Sequence, residues 1–255
     1  MTKRQIFIGD VHGHYNALKA LLEAVSPQKE DQVYFLGDLI DRGPKSCQVI
    51  ELVMRNNYSC ILGNHEDMLL AVLDQESTSE MALQAWLYSG GYATVASYGD
   101  EGIPKEHIEW LRTLPHYLDL GDIWLVHAGV NPNLSLEEQT SEQFCWIREE
   151  FHRTTQPYFP DKLIITGHTI TFTLPGVSPG KIASGPGWLD IDTGAYHRKS
   201  GWLTALDLTQ NVVYQVKVEP QEVRMVPLED AIAPVKSTQV SERRFPLPVS
   251  VVNDG

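Results

Sequence analysis

The feature that most constrains the fold is the alternation of short apolar strands and amphipathic helices at the start of the chain. Strands are predicted at 5–9, 32–36 and 60–62, and helices at 16–25, 47–55 and 66–73. This alternation indicates a parallel sheet with right-handed crossovers. Ligands of such sheets bind outside the carboxyl ends of the strands. The predicted fold class is therefore α/β, with a functional site at that edge.

Each of these three strands runs directly into a glycine that is followed by a polar residue. The motifs are Gly-Asp-Val-His-Gly (9–13), Gly-Asp-Leu-Ile-Asp-Arg-Gly (37–43) and Gly-Asn-His-Glu (63–66). Two later predicted strands end in His-Ala-Gly (127–129) and Gly-His-Thr (167–169). Because the carboxyl ends of parallel strands share one edge, the five motifs predict one common site.

Carboxylate, amide and imidazole groups are the candidate metal ligands at this edge. They suit a divalent ion such as manganese, iron or zinc. The set is too large for one ion, which predicts two ions about 3.5–4 Å apart that share a carboxylate and a hydroxide in line with a phosphorus atom. The residues are Asp10, His12, Asp38, Asn64, His65, His127 and His168. Taken singly, each of them is also compatible with a turn, a helix cap or a structural hydrogen bond.

Composition limits the other classes of function. The formal net charge is −13 and there is no cluster of Lys and Arg, which argues against nucleic-acid binding. Anionic substrates remain compatible because bound cations reverse the local field. No run approaches the roughly 18 apolar residues that cross a bilayer, and the first residues lack the long apolar region of a signal peptide. We therefore expect a cytoplasmic protein with no nucleic-acid or membrane partner.

The chain is predicted to contain one catalytic domain at 1–219, with an α-rich flank or cap at 74–122 inside it. Strands resume at 123–126 and continue through 212–218. Several prolines and scattered charges at 220–255 predict an extended tail that packs on the surface. The sequence does not indicate an oligomeric state.

The three early motifs resemble the signature motifs of the phosphoprotein phosphatase family within the calcineurin-like metallophosphoesterases. The two later histidine motifs also resemble motifs of this family, in matching order and spacing, and the segments 146–149 and 191–195 are similar to its bacterial and phage branch. The resemblance covers about residues 5–208. It implies a central β-sandwich flanked by helices in four αββα layers, with the metal site at the carboxyl ends of strands.

The resemblance also distributes the ligands between two ions. The first ion would be bound by Asp10, His12 and Asp38, and the second by Asp38, Asn64, His127 and His168. Asp38 would therefore bridge the pair. The expected cofactor is two divalent ions, with manganese as the expected ion in vitro and iron or zinc as alternatives.

Four further residues receive roles from the same resemblance. His65 would be the general acid that protonates the leaving alkoxide, and Asp41 would orient it. Arg42 and Arg148 would hold the phosphoryl oxygens, which planar guanidinium groups match better than an ammonium does.

The predicted function is metal-dependent hydrolysis of phosphomonoesters by a serine/threonine protein phosphatase, with phosphotyrosine as an additional candidate substrate. Its partners would be phosphorylated proteins or small phosphoesters.

The alternative is a symmetrical diadenosine tetraphosphate hydrolase. Bacterial enzymes of that type typically replace the Asp of Asp-Arg-Gly and end the third motif in Asp, whereas this chain has Asp41 and Glu66. A non-catalytic metal-bound scaffold is a remote alternative, and the charge and Asp-Arg-Gly argue against a nuclease or cyclic-nucleotide phosphodiesterase.

Overall fold

A computed structural model describes residues 3–74 and 80–240 of the chain. The strands are β1 (Gln5–Ile8), β2 (Gln32–Phe35), β3 (Ser59–Cys60), β4 (Tyr117–Asp119), β5 (Ile123–Val126), β6 (Leu163–Thr166), β7 (Ile182–Gly185), β8 (Trp188–Asp190), β9 (Trp202–Asp207), β10 (Val212–Lys217), β11 (Val223–Pro227) and β12 (Ile232–Pro234). The α-helices are α1 (Tyr15–Val25), α2 (Ser46–Arg55), α3 (Asn64–Leu73), α4 (Glu80–Trp86), α5 (Tyr92–Tyr98), α6 (Lys105–Arg112), α7 (Ser141–Trp146), α8 (Glu149–His152) and α9 (Leu228–Ala231).

The strands form two six-stranded mixed sheets. The first has the order β11-β10-β9-β1-β2-β3, and the second has the order β12-β7-β8-β6-β5-β4. In the first sheet β1, β2 and β3 are parallel, as the alternation of strands and helices predicts, while β9 pairs antiparallel with β1. In the second sheet β5, β6 and β8 are parallel. The carboxyl ends of both parallel sets carry the five motifs.

Three hydrophobic clusters show how the layers pack. Between the sheets, Phe7 and Leu36 of the first sheet belong to one buried cluster with Leu125, Ile165 and Leu189 of the second. The outer face of the first sheet packs on α1 and α2, and that of the second packs on α7 and α8. The four-layer αββα arrangement predicted from the sequence is therefore confirmed.

Two segments differ from their predicted structure. Within the predicted tail, β11 extends the first sheet and β12 extends the second. Prolines stand at the last position of each, where an edge strand tolerates them. The tail prediction for 241–255 lies outside the described residues, and the domain boundary at 219 stays a prediction.

The pattern of residues 142–151 predicts one helix, but in the structure this helix is interrupted. It ends at Trp146 and resumes at Glu149, because buried Ile147 adopts an extended conformation with φ −59° and ψ 145°. Arg148 therefore lies in a break between two short helices, where it lines the cleft described below.

The described part of 74–122 is mostly helical, as predicted. A kink at Leu87–Gly91 connects α4 to α5, and Gly90 within it has φ 122° and is not helical. That conformation, together with the side chain of Arg42 packed against it, requires glycine at this position. None of the helices in 3–74 and 80–240 has the length and apolarity needed to span a membrane.

Candidate active site

The ten residues predicted for the site converge at the carboxyl ends of the parallel strands. Asp10 and His12 follow β1, Asp38 follows β2, and Asn64 opens α3 after β3. His127 follows β5, and His168 follows β6. All six of these side chains are buried. The two sheets thus contribute to one polar cluster inside the fold.

Asp38 lies at the centre of this cluster. Its Oδ2 lies 3.5 Å from His12 Nε2 and 3.9 Å from His65 Nε2. Its Oδ1 lies 3.4 Å from His127 Nε2. The two oxygens thus face different groups of potential ligands, which is the arrangement that a bridging carboxylate needs.

Backbone carbonyls fix the orientation of two imidazoles. His12 Nδ1 donates to the Ile40 carbonyl at 3.0 Å, and His127 Nδ1 donates to the Leu36 carbonyl at 2.6 Å. Each neutral ring then carries its lone pair on Nε2, the nitrogen that faces Asp38. A hydrogen bond of this kind to the remote nitrogen is usual for histidines that bind metals.

Asn64 and His168 complete the second half of the cluster. The Asn64 Oδ1 atom lies 3.0 Å from His127 Nε2 and 2.8 Å from His168 Nδ1. The backbone N–H of His168 donates to both oxygens of Asp10, at 3.2 and 3.1 Å. Asp10, from the first sheet, is thereby joined to the motif after β6 in the second.

The donor set fits divalent metal ions. Burial lowers the pKa of His12, His127 and His168, so these imidazoles are neutral, as metal ligands must be. Burial alone would raise the pKa of Asp38, but the neighbouring imidazoles of His127, His65 and His12 and the guanidinium of Arg42 hold it below its usual value. Burial, Asp192 and Asp38 raise the pKa of Asp10, a repulsion that bound cations would relieve.

Glu66 holds the Asp38 turn in place. Its Oε1 accepts from the backbone N–H groups of Leu39 (2.8 Å) and Ile40 (3.2 Å), and its Oε2 accepts from those of Asp38 (2.8 Å) and Gly63 (3.1 Å). Asp38 has φ 49°, a left-handed conformation that its surroundings must enforce. In the sequence, Glu66 serves only to distinguish protein phosphatases from symmetrical diadenosine tetraphosphate hydrolases. Its position in the third motif is the signal from which this structural role could have been predicted.

His65 and Asp41 form a buried pair. His65 Nδ1 lies 2.6 Å from Asp41 Oδ2, so His65 Nε2 is the nitrogen left for other partners. Trp86 Nε1 donates to the same Asp41 oxygen at 3.0 Å, and Thr94 Oγ1 donates to Asp41 Oδ1 at 2.6 Å. Trp86 and Thr94 were missed by the sequence analysis because they belong to the helical flank, which carries no motif.

Removing the Thr94 hydroxyl is expected to weaken the hold on Asp41. Thr94→Val keeps the shape of the side chain but deletes the donor to Asp41 Oδ1 and an acceptor of the Asp41 N–H. We expect turnover of an alkyl phosphate to fall about tenfold, the effect of one lost buried hydrogen bond. Steady-state kinetics measure the turnover, and an assay of bound metal measures the metal content of the variant. Thr94→Ser, which keeps the hydroxyl, should remain near wild type, and equal rates for Thr94→Val and wild type would contradict the role.

The two predicted phosphate-binding arginines line the same cleft. Arg42 stacks on Tyr196, with its guanidinium carbon 3.9 Å from the ring centroid, and its Nη1 donates to His12 Nε2 at 2.7 Å. An ion on His12 would compete with Arg42 for that lone pair. Arg148 Nη1 donates to the His168 carbonyl at 3.2 Å and to Thr169 Oγ1 at 3.1 Å. Tyr196, which also lines the cleft, was not predicted.

Comparison with known proteins identifies the family. The sequence profile of a family described as calcineurin-like phosphoesterase matches residues 3–172. A symmetrical bis(5'-nucleosyl)-tetraphosphatase from Ectopseudomonas mendocina is 34% identical over 134 residues, which is 51% of this chain and 46% of that protein. An enzyme of the same name from Vibrio campbellii is 27% identical over 199 residues, 72% of this chain and 70% of that protein.

A solved structure shares the fold. It belongs to a protein provisionally named a diadenosine tetraphosphatase, with a TM-score of 0.61, 22% identity, and coverage of 89% of this chain and 94% of the other. The curated relatives extend further: the chain spans about half the length of several that it matches. At this identity the structural similarity concerns the fold alone.

Proposed function

Since the chain belongs to the calcineurin-like phosphoesterase family, we propose that it is a metal-dependent phosphoester hydrolase and that its buried cluster is the site of hydrolysis. The observation that carries this proposal is the position of Asp38, whose two oxygens lie within 4 Å of imidazoles from both sheets. Asp10, His12 and Asp38 would hold one divalent ion, and Asp38, Asn64, His127 and His168 a second. Bound there, the ions would generate a nucleophile from water and neutralise charge on the phosphoryl group.

Arg42 and Arg148 would bind the phosphoryl oxygens. Both line the cleft above Asp38, and both carry planar donor groups that match a phosphate. The stacking of Arg42 on Tyr196 limits the directions in which its guanidinium can point. These contacts would orient the substrate for attack in line with the leaving group.

His65 would supply a proton to the leaving group. Its Nδ1 is bonded to Asp41, which keeps the ring in one orientation and leaves Nε2 for another partner. The remaining nitrogen, Nε2, lies 3.9 Å from Asp38 and so borders the cluster. A proton on this nitrogen would be available to an oxygen that leaves phosphorus.

We take dinucleoside tetraphosphates as the first candidate substrate. Both curated relatives described above are named symmetrical bis(5'-nucleosyl)-tetraphosphatases, and neither is a protein phosphatase. The order of the two candidate functions is therefore the reverse of the order predicted from the sequence, in which a protein phosphatase came first. Symmetrical cleavage would release two nucleoside diphosphates: one contains the phosphorus that water attacks, and the other is a good leaving group with a phosphate pKa of about 6.

Phosphomonoesters, including phosphoproteins, are the second candidate. The observation that favours them is the buried His65–Asp41 pair, which Trp86 and Thr94 support with two further hydrogen bonds. An alkoxide is far more basic than a nucleoside diphosphate, closer to hydroxide, whose conjugate acid has a pKa of about 15.7. Such a leaving group gains the most from a positioned acid.

One experiment ranks the two candidates. The protein is depleted of metal with a chelator, dialysed and reloaded with manganese. Its kcat/KM is then measured on diadenosine tetraphosphate, on phosphoserine, phosphothreonine and phosphotyrosine peptides, and on p-nitrophenyl phosphate. The first candidate predicts the highest kcat/KM on the dinucleotide, with adenosine diphosphate as the only nucleotide product. Faster cleavage of a phosphopeptide would favour the second, and no metal-dependent hydrolysis of any substrate would refute the site.

A further inference from the structure

A buried pair of titratable residues, His152 and Asp190, has no part in the chemistry described above. His152 lies at the end of α8, and Asp190 ends β8. Their side chains are 1% and 0% exposed, and His152 Nε2 lies 3.3 Å from Asp190 Oδ2. Aromatic rings enclose the imidazole, with Phe151 at 5.3 Å and Trp188 at 5.0 Å between ring centroids. Burying a polar pair in such apolar surroundings costs free energy, which indicates that the pair has a structural or functional role.

The other contacts of His152 point to Arg148. The His152 Nδ1 atom donates to the Arg148 carbonyl at 2.7 Å, and the His152 backbone N–H donates to the same oxygen at 3.0 Å. This carbonyl therefore accepts two hydrogen bonds from one residue. Arg148 lies in the break between α7 and α8, so no regular helical turn precedes it to fix its backbone.

The chemistry of the pair follows from this geometry. A carbonyl only accepts, so His152 Nδ1 must carry a proton, and Nε2 of the neutral ring is then an acceptor. The Asp190 carboxyl group would have to donate to it as the protonated acid. Burial lowers the pKa of His152 to about 4 and raises that of Asp190 well above its usual value, in agreement with an uncharged pair.

Asp190 also contacts the segment that follows β8. Its Oδ1 accepts from the backbone N–H of Asp192 at 3.0 Å. At the other end of Arg148, the guanidinium bonds to the His168 carbonyl and to Thr169 Oγ1. Arg148 is thus held at its backbone by His152 and at its head by the motif after β6.

We propose that His152 and Asp190 are positioning residues that aim Arg148 at the phosphoryl group. The proposal rests on the proposed function, in which Arg148 binds that group. His152 fixes the backbone from which the arginine extends, and Asp190 fixes the tautomer and orientation of His152. Small displacements of such a group weaken binding strongly, because bidentate recognition depends on geometry.

Two substitutions at His152 separate its two contacts. In His152→Asn the amide nitrogen can replace Nδ1 as donor to the Arg148 carbonyl, whereas in His152→Gln the longer chain places it near the position of Nε2. We expect His152→Gln to raise the inhibition constant of inorganic phosphate and the KM for p-nitrophenyl phosphate about tenfold, while His152→Asn stays within about threefold of wild type. Equal effects of the two substitutions would overturn the proposal.

A double-mutant cycle with Arg148→Ala tests whether the effect passes through the arginine. We expect His152→Gln to cause no further loss of phosphate affinity when Arg148 is already absent. The same factor in both backgrounds would show a general structural effect and overturn the proposal. If Arg148→Ala alone leaves phosphate affinity unchanged, the role of Arg148 in the proposed function fails instead. Bound metal and melting temperature, measured for each variant, identify loss of folding.

Asp190→Asn provides a second variant that should fold. Its amide can donate to His152 Nε2 as the protonated acid would, and its oxygen can still accept from the Asp192 N–H. Asp190→Asn should therefore keep phosphate affinity, whereas Asp190→Leu should lower it as His152→Gln does. A large loss of affinity in Asp190→Asn with unchanged melting temperature would contradict the uncharged pair and its positioning role.

Discussion

Asp38→Asn is expected to lose essentially all turnover together with bound metal. The carboxylate oxygens face imidazoles on opposite sides, and a neutral amide with one acceptor oxygen cannot replace both. The loss should exceed the roughly 10- to 100-fold cost of removing a group that only supports a metal ligand. Turnover of p-nitrophenyl phosphate at saturating manganese, with metal content by mass spectrometry, measures both effects.

Asp119→Asn is the matched control for this substitution. Asp119 lies on β4 and pairs with Lys162 Nζ at 2.6 Å, outside the cleft, so the same change of charge should leave turnover and metal content intact. A non-catalytic scaffold would tolerate Asp38→Asn. Full metal content or normal turnover in Asp38→Asn would therefore contradict the bridging role.

His65→Asn is expected to separate substrates by the basicity of their leaving groups. General acid catalysis contributes about 10²- to 10⁴-fold, so an alkyl phosphate should lose activity by about that factor. p-Nitrophenolate and nucleoside diphosphates need little protonation, so p-nitrophenyl phosphate and diadenosine tetraphosphate should lose much less. The measurement is kcat for each substrate at equal metal loading.

Asp41→Asn should show the same selectivity with a smaller loss, because Asp41 acts on the leaving group only through the imidazole at 2.6 Å. Metal content must be followed because His65 Nε2 lies 3.9 Å from Asp38. Equal losses on all substrates in His65→Asn would remove this residue from the acid role and leave it as a support for Asp38.

Local sequence patterns predict the catalytic edge well. The parallel strands β1, β2 and β6 are short apolar runs followed by a glycine, and the polar residue after that glycine must lie at the carboxyl edge whatever the rest of the fold does. The convergence of Asp10, Asp38 and His168 therefore follows from strand order. The hydrogen bond from the His168 N–H to Asp10 spans 158 positions in the chain, and only the second sheet brings the two together.

The supports of the site are less predictable. Trp86 and Thr94 reach Asp41 because the kinked helices α4 and α5 pack over the second motif, and neither residue has a local pattern that indicates this. Likewise, the break at Ile147 interrupts a stretch with good helical periodicity, since burying Ile147 outweighs continuing the helix. Tertiary packing determines these features, and the periodicity of the sequence carries no information about that packing.

The division of the candidate ligands between the sheets has a consequence for the lifetime of the folded protein. Asp10 and Asp38 extend from the first sheet, and His127 and His168 extend from the second. Ions held by both sets would act as cross-links through the middle of the sandwich. An ion that binds only the native chain stabilises it by about 2.7 kcal/mol at a concentration 100 times its Kd. Metal supply would then control the amount of this protein that survives proteolysis, as well as the rate at which each molecule works.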